Sequence, residues 1–328
     1  MTSTNKHSTG ARRPRPGVRA LTAGLSALGL LLAGCSATGS GATPTAGGGA
    51  TTTSTTAPPT TTTVPPTTTT TEQPGWSGVS SAGTAVAVDT QSVTLPTGHV
   101  VTIVRFRAGV THFHLHVGGS DPPRGTAMVT ADDGSSIGPD EAPALLAAFN
   151  GGFEASAGVG GFELAGQVLV PLQAGAASLV IDSNGSAHVG VWGQSLPAPG
   201  EPVDSVRQNL APLVAGGQPS PQVNDIAAWG ATLGGGPTVA RSALGEDRSG
   251  DLLYAAGMHV LPVDLADALV GAGAVTAMQL DINPEWVQLA WAPEAGGPLS
   301  PAVPGQNRPG DQYQVGWTRD FITVTAAG

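Results

Sequence analysis

Beyond residue 75 the chain is a series of short apolar runs cut by Gly, Pro and Asn turns, and the period of each run predicts an element. Ala85–Val88, Ser92–Leu95 and Val100–Phe106 are predicted strands. His112–Val117 alternates with period two, which turns Phe113, Leu115 and Val117 inward and predicts a solvent-facing stripe of His112, His114 and His116. Pro139-Asp140-Glu141 has the proline and acidic first turn of a helix, here reaching Ala148. Val168–Leu172, Ser178–Asp182 and Ala187–Trp192 are predicted strands, the last two a hairpin about Asn184-Gly185. A short helix is predicted within 202–215, then strands at Trp229–Leu233 and Leu252–Ala256. The apolar face of Asp264–Val270 predicts a helix ended by Gly271 and Gly273. Strands are expected at Ala274–Ile282, Val287–Trp291 and Phe321–Val324. Strands outnumber helices and no repeat is visible. The expected class is α+β, one mixed-sheet domain with a few short helices.

The first 75 residues follow other rules. Arg12, Arg13, Arg15 and Arg19 precede an apolar stretch, Leu21–Leu32, that is short for a membrane span. It closes on Leu32-Ala33-Gly34-Cys35, which reads as a lipoprotein signal peptide over 1–34 with lipidation of Cys35; an ordinary secretory signal with a chance cysteine is the alternative. Residues 35–75 are Gly-, Thr- and Pro-rich and predict a disordered linker. The domain of 76–328 is large enough for a full core. This reading makes the protein extracytoplasmic, tethered to the membrane by lipid.

Charge and composition then narrow the chemistry. After Cys35 there are 8 bases against 23 acids, a net −15 that argues against nucleic acid as a partner. The only lysine is Lys6, which removes Schiff-base and P-loop lysine chemistry from the domain. The only cysteine is Cys35, so the domain has no disulfide, thiol nucleophile or thiolate metal site.

Three separated motifs remain. Asn150-Gly151-Gly152-Phe153 offers an amide and a backbone that a ligand can approach closely; a tight turn explains the same residues. Gly234-Gly235-Gly236-Pro237-Thr238 precedes Arg241-Ser242. Glycine amides and an arginine fork suit a phosphate, and Arg241 is equally suited to pairing with one of the many acids. Asp281 ends a buried apolar run, fit for proton transfer, for a divalent cation or for capping the turn at Asn283-Pro284. The alternate histidines suit a metal only with a third ligand, for which Asp121 and His99 are candidates.

In order and setting these motifs resemble the phosphodiester glycosidase family, over roughly Asp140 to Trp291. Asn150–Phe153 matches that family's first motif. Gly235-Gly236-Pro237 and Arg241-Ser242-Ala243-Leu244-Gly245 match the next two, with Ser242 for a threonine, and Leu280-Asp281 matches the end of its last strand. Where the family continues Gly-Gly-Gly-Ser-Ser, this chain reads Ile282-Asn283-Pro284-Glu285-Trp286. The resemblance implies hydrolysis of sugar-1-phosphodiesters in envelope glycopolymer or glycolipid. It implies Asp281, Arg241 and Asn150 as the catalytic set. Gly151, Gly152, Gly235, Gly236 and Ser242 would contact substrate, with Glu285 replacing the missing polar groups. No cofactor is implied. The alternative expectation is a glycan-binding lipoprotein that kept the fold without the chemistry, using Trp192, Trp229, Trp286 and Trp291 as stacking platforms.

Overall fold

The computed structural model describes residues 75–124, 134–230 and 236–328. The signal segment, Cys35, the linker and the Gly234-Gly235 pair lie outside them. In chain order the elements begin β1 (Ser77–Ala82), β2 (Ala85–Thr94), β3 (Val100–Phe106), β4 (Thr111–His116) and β5 (Leu145–Asn150). They continue β6 (Phe162–Leu164), β7 (Gln167–Val170), β8 (Ala177–Asp182), β9 (Ala187–Val191), β10 (Val203–Gln208), β11 (Val214–Ala215) and β12 (Gln218–Pro219). The chain ends β13 (Val239–Asp247), β14 (Leu252–Val260), α1 (Pro262–Gly271), β15 (Ala274–Gln279), β16 (Leu289–Trp291), β17 (Ser300–Pro301), α2 (Gln312–Val315) and β18 (Phe321–Ala326). Among the described residues no helix is long and apolar enough to cross a membrane.

These strands form three sheets: β1-β2-β3-β14-β13-β15-β11-β12, β7-β6-β10-β8-β9 and β17-β16-β5-β18-β4. The domain is thus mostly β with few helices. Every paired strand runs antiparallel. A mixed sheet was expected from helices interspersed among strands, but most of those predicted helices are themselves strands.

The largest sheet is covered on both faces. Alternate residues of β13 and β14 separate: Leu244 and Tyr254 join a core shared with the two smaller sheets, while Ala243, Leu253 and Ala255 pack under Leu265 and Leu269 of α1. Double coverage explains the unbroken apolar run Leu252–Ala256, whose residues are all buried. Pro262 opens α1, and Asp264 accepts the Leu261 N–H at 2.7 Å, satisfying a donor that the first turn leaves free.

Two expected helices are strands. Leu145–Asn150 consists largely of helix formers, yet β5 lies between β16 and β18 with every residue buried, and only Ala142–Ala144 makes a helical turn. Sheet packing outweighs a propensity difference of about 0.5 kcal/mol per residue. Residues 203–208 are likewise β10, in the middle of its sheet. At Trp229 the observed element is a short helical turn, Ile226–Trp229, and 231–233 lie outside the described residues.

The histidine stripe does not face solvent. His116 is fully buried, stacked on Phe321 at 4.3 Å, with Nε2 3.1 Å from both Glu141 and Thr323. His114 lies edge-on to His116, and both it and His112 are half-buried. The face that alternation assigns to water is covered by the segment carrying Glu141.

Candidate functional site

The three sheets meet where β5 ends, and there the chain uses polar side chains in place of apolar ones. Asn150 is paired with Phe321 of β18 and is buried. Its Oδ1 accepts from Tyr254 Oη at 2.9 Å and from the Gln288 N–H at 3.3 Å. Its Nδ2 donates to Ser242 Oγ at 2.9 Å and to the Gly151 carbonyl at 2.8 Å. All four bonding positions of the amide are thus used within the protein. Burial pushes the Tyr254 hydroxyl far up, so it stays a donor. Tyr254→Phe removes one bond to a buried amide and should cost about 1–2 kcal/mol in urea unfolding, with the sheets otherwise unchanged.

Ser242 carries the network to Asp281. Its carbonyl accepts the Leu280 N–H at 2.8 Å while its own N–H reaches the Asp281 carbonyl at 2.9 Å. Two residues therefore oppose one, as in a β-bulge, and the offset re-aims Asp281. The Asp281 N–H also reaches Ser242 Oγ at 3.2 Å. Asp281 Oδ1 accepts the N–H groups of Ile282 and Asn283 at 2.7 and 2.8 Å, and Oδ2 lies 3.5 Å from Arg319 Nη2. Burial pushes this carboxyl up to about 6, against the opposing pull of Arg319 and the two N–H groups.

Gly151 and Gly152 are sites of close packing. A Cβ on Gly151 would overlap the Asp320 carboxylate, and one on Gly152 would lie 2.9 Å from Arg207 Cζ. Arg207, from β10, holds Asp320 through Nε at 2.7 Å and donates to the carbonyls of Phe153 and Gln208 at 2.6 Å. Arg319 stacks on Trp286 at 4.0 Å, donates to the Gly152 carbonyl at 2.8 Å, and lies 3.3 Å from Asp121 and 3.4 Å from Glu154.

Beside this network is a cavity of about 500 Å³, bordered by Phe153, Glu154, Leu210, Gly230, Asp281 and Trp286 among others. Gly230, at φ 99°, lets Phe153 and Ile282 approach to within 3 Å of where its Cβ would be.

Asn150, Gly151, Gly152, Ser242 and Asp281 are therefore brought together. Arg241 points away from them. Alternation along β13 sends it to the face opposite Ser242, where Nη1 donates to the Trp229 carbonyl at 3.2 Å and to Gln279 Oε1 at 3.0 Å. It is wholly buried, its Nε and Nη2 meet no hydrogen-bond partner among the described residues, and burial lowers its pKa to about 10. Neither a carboxylate partner nor a place on the cavity wall is found for it there. Glu285 also stands apart, 2.7 Å from Arg308 and bonded to Asn307 at 2.8 Å. Gly236 is at the edge of the described residues, and Gly235 and Cys35 are outside them.

No protein-family model and no curated protein matches the chain. Among solved structures it is similar to the zebrafish N-acetylglucosamine-1-phosphodiester alpha-N-acetylglucosaminidase catalytic domain auto-inhibited by its pro-peptide. The identity is 15% over 76% of this chain and 87% of that one, with a TM-score of 0.47. It is also similar to a hypothetical protein from Synechocystis, at 13% identity over 73% of this chain and 62% of that one, with a TM-score of 0.42. Likenesses this distant assign no activity, and the chemistry has to be read from the residues.

Sequence reasoning missed Arg319, Asp320 and Glu154 as site residues. One signal was available: Arg319-Asp320 is a charged pair set directly against the apolar strand Phe321–Val324, a position where a buried ion pair needs a partner from elsewhere. Of the metal candidates, His99 is 2.6 Å from Asp264 and Asp121 is bound up with Arg319. Among the described residues no three His, Cys, Asp or Glu side chains converge to hold an ion, at Asp281 or elsewhere.

Proposed function

We propose that the domain is a hydrolase of sugar conjugates in which Asp281 moves the proton. The observation carrying this reading is a nearly buried carboxyl, raised to about 6, on the wall of a cavity of about 500 Å³ beside Trp286 and Phe153. A carboxyl so tuned holds its proton in mild acid and releases it near neutrality, which suits general acid and base work. Apolar and aromatic walls suit the faces of a sugar ring. With Oδ1 occupied by two N–H groups, Oδ2 is the oxygen free to give a proton to a departing oxygen or to take one from water. Arg319 fixes the carboxyl and is the cation nearest the reacting atoms. Gly151, Gly152 and Ser242 position this machinery from behind.

The finer reading is a sugar-1-phosphodiester of envelope polymer or glycolipid, in a protein tethered outside the membrane through Cys35. It is supported by the motif resemblance and by the leader-like pattern of arginines, apolar run and Cys35 in the sequence before the domain. Incubating the full chain with a panel of sugar-1-phosphodiesters tests it. Sugar release that Asp281→Asn removes supports the proposal; release that survives this substitution refutes the role of Asp281.

A second reading, a glycan-binding lipoprotein without catalysis, is favoured by the charge around the site. Four carboxylates (Asp121, Glu154, Asp281 and Asp320) surround two guanidinium groups (Arg207 and Arg319), an excess that repels a phosphate. Retention of neutral glycans by the full chain, unchanged in Asp281→Asn and without turnover, would favour it.

A further inference from the structure

When one carboxyl protonates the departing oxygen of a glycosidic bond, a second is needed to handle the attacking water. Four acids surround Arg207 and Arg319, and their settings differ. Asp320 is wholly buried and held by Arg207 at 2.7 Å. Asp121 accepts the Ala155 N–H at 3.1 Å and faces Arg319 Nε at 3.3 Å. Of the four, only Asp281 and Glu154 are on the wall of the cavity of about 500 Å³.

One side chain brings these two together. Arg319 Nη1 is 3.4 Å from Glu154 Oε1, and its Nη2 is 3.5 Å from Asp281 Oδ2. Oxygens tied in this way to the two terminal nitrogens of one planar guanidinium are at most about 9 Å apart. That limit falls within the roughly 6.5–9.5 Å at which two carboxyls leave room for a water between them. Both contacts are long beside the 2.7 Å between Arg207 and Asp320, so Arg319 orients the pair without occupying it.

Their surroundings divide the work. The Asp281 side chain is 5% exposed and that of Glu154 is 45% exposed. A group that must hold a proton is served by exclusion of water, and a group that activates water by access to it. Glu154 is also steadied from behind. Ser156 Oγ donates to its Oε2 at 3.2 Å, and the helical turn Ala155–Ala157 that follows it is tied to Asp121 through the Ala155 N–H.

Resting on the hydrolase reading above, we infer that Glu154 is the second catalytic carboxyl, the base of an inverting hydrolysis. It takes a proton from water as the water oxygen bonds to the anomeric carbon. The bond from that carbon to the departing oxygen breaks, and Asp281 gives its proton to that oxygen. The sugar leaves with inverted configuration. Exchange with solvent then removes the proton from Glu154 and returns one to Asp281.

The test uses the full chain and the sugar-1-phosphodiester of the panel that it cleaves. Glu154→Gln changes an exposed side chain and should leave the fold intact, while lowering kcat by about 10²–10⁴-fold with KM within about threefold of the parent. Sodium azide should restore turnover in Glu154→Ala and give the sugar azide of inverted configuration. NMR of the first sugar released by the parent should show the inverted anomer. A carboxylate that only packs against Arg319 would give no azide rescue. The inference alone is overturned if release needs Asp281 while Glu154→Gln keeps the parent's kcat, if azide restores nothing, or if the parent's product retains its configuration. If the parent releases no sugar, the hydrolase reading fails and this inference fails with it.

Discussion

On the role proposed for Asp281, Asp281→Asn should sharply lower sugar release and at the same time make the protein more stable at neutral pH. The two effects have one origin. Burial raises the folded-state carboxyl from an ordinary 3.8 to about 6, so the folded protein holds a proton that the unfolded chain has already released. Stability is therefore greatest below the unfolded value, falls as pH rises from about 4 to about 6, and stays lower above that. The difference corresponds to about 3 kcal/mol at pH 7. Asparagine is neutral at every pH and still accepts the Ile282 and Asn283 N–H groups, so it escapes this penalty. It cannot exchange a proton, and loss of that step should lower turnover by about 10²–10⁴-fold. Thermal melts of parent and variant at pH 4 and pH 7 check the first effect. The variant should gain at pH 7 and differ little at pH 4; equal melting points at both would mean that Asp281 is not raised.

Asp320→Ala should cost about 3–5 kcal/mol, because it leaves the Arg207 guanidinium buried without its counter-charge. Gly151→Ala should approach the same loss by another route, since the new methyl occupies the space of the Asp320 carboxylate. Neither change touches the cavity wall. Denaturant unfolding of both variants tests the claim that Gly151 and Gly152 exist to admit this ion pair. If Gly151→Ala unfolds with the parent while Asp320→Ala is destabilised, the close packing is wrongly assigned.

How much of this was legible beforehand depended on how local the determining contacts are. The Ser178–Trp192 hairpin was readable because Asn184-Gly185 fixes its turn, and α1 because its apolar face and the following glycines are both within ten residues. The strand β5 was not, because Ala- and Leu-rich sequence favours a helix until β16 and β18 flank it. Asn150, Ser242 and Asp281 were found through motifs, and they do converge. The same motifs also selected Arg241, whose side chain a period of two sends to the other face of the sheet. Arg207 and Asp320 are 113 positions apart in sequence, and only the meeting of two sheets joins them.

The place of β18 has a consequence for synthesis. This strand lies between β5 and β4, although it is made some 200 residues after β4, and Arg319 and Asp320 immediately precede it. A nascent chain therefore carries Asp281 and both glycines well before the groups that orient them exist. Its third sheet stays open, with the edges of β4 and β5 unpaired, until residue 326 is free to insert. Such late closure makes folding slow and leaves two strand edges exposed to wrong partners in the interval. A product truncated before Arg319 would leave this sheet open and would lack the cation beside Asp281.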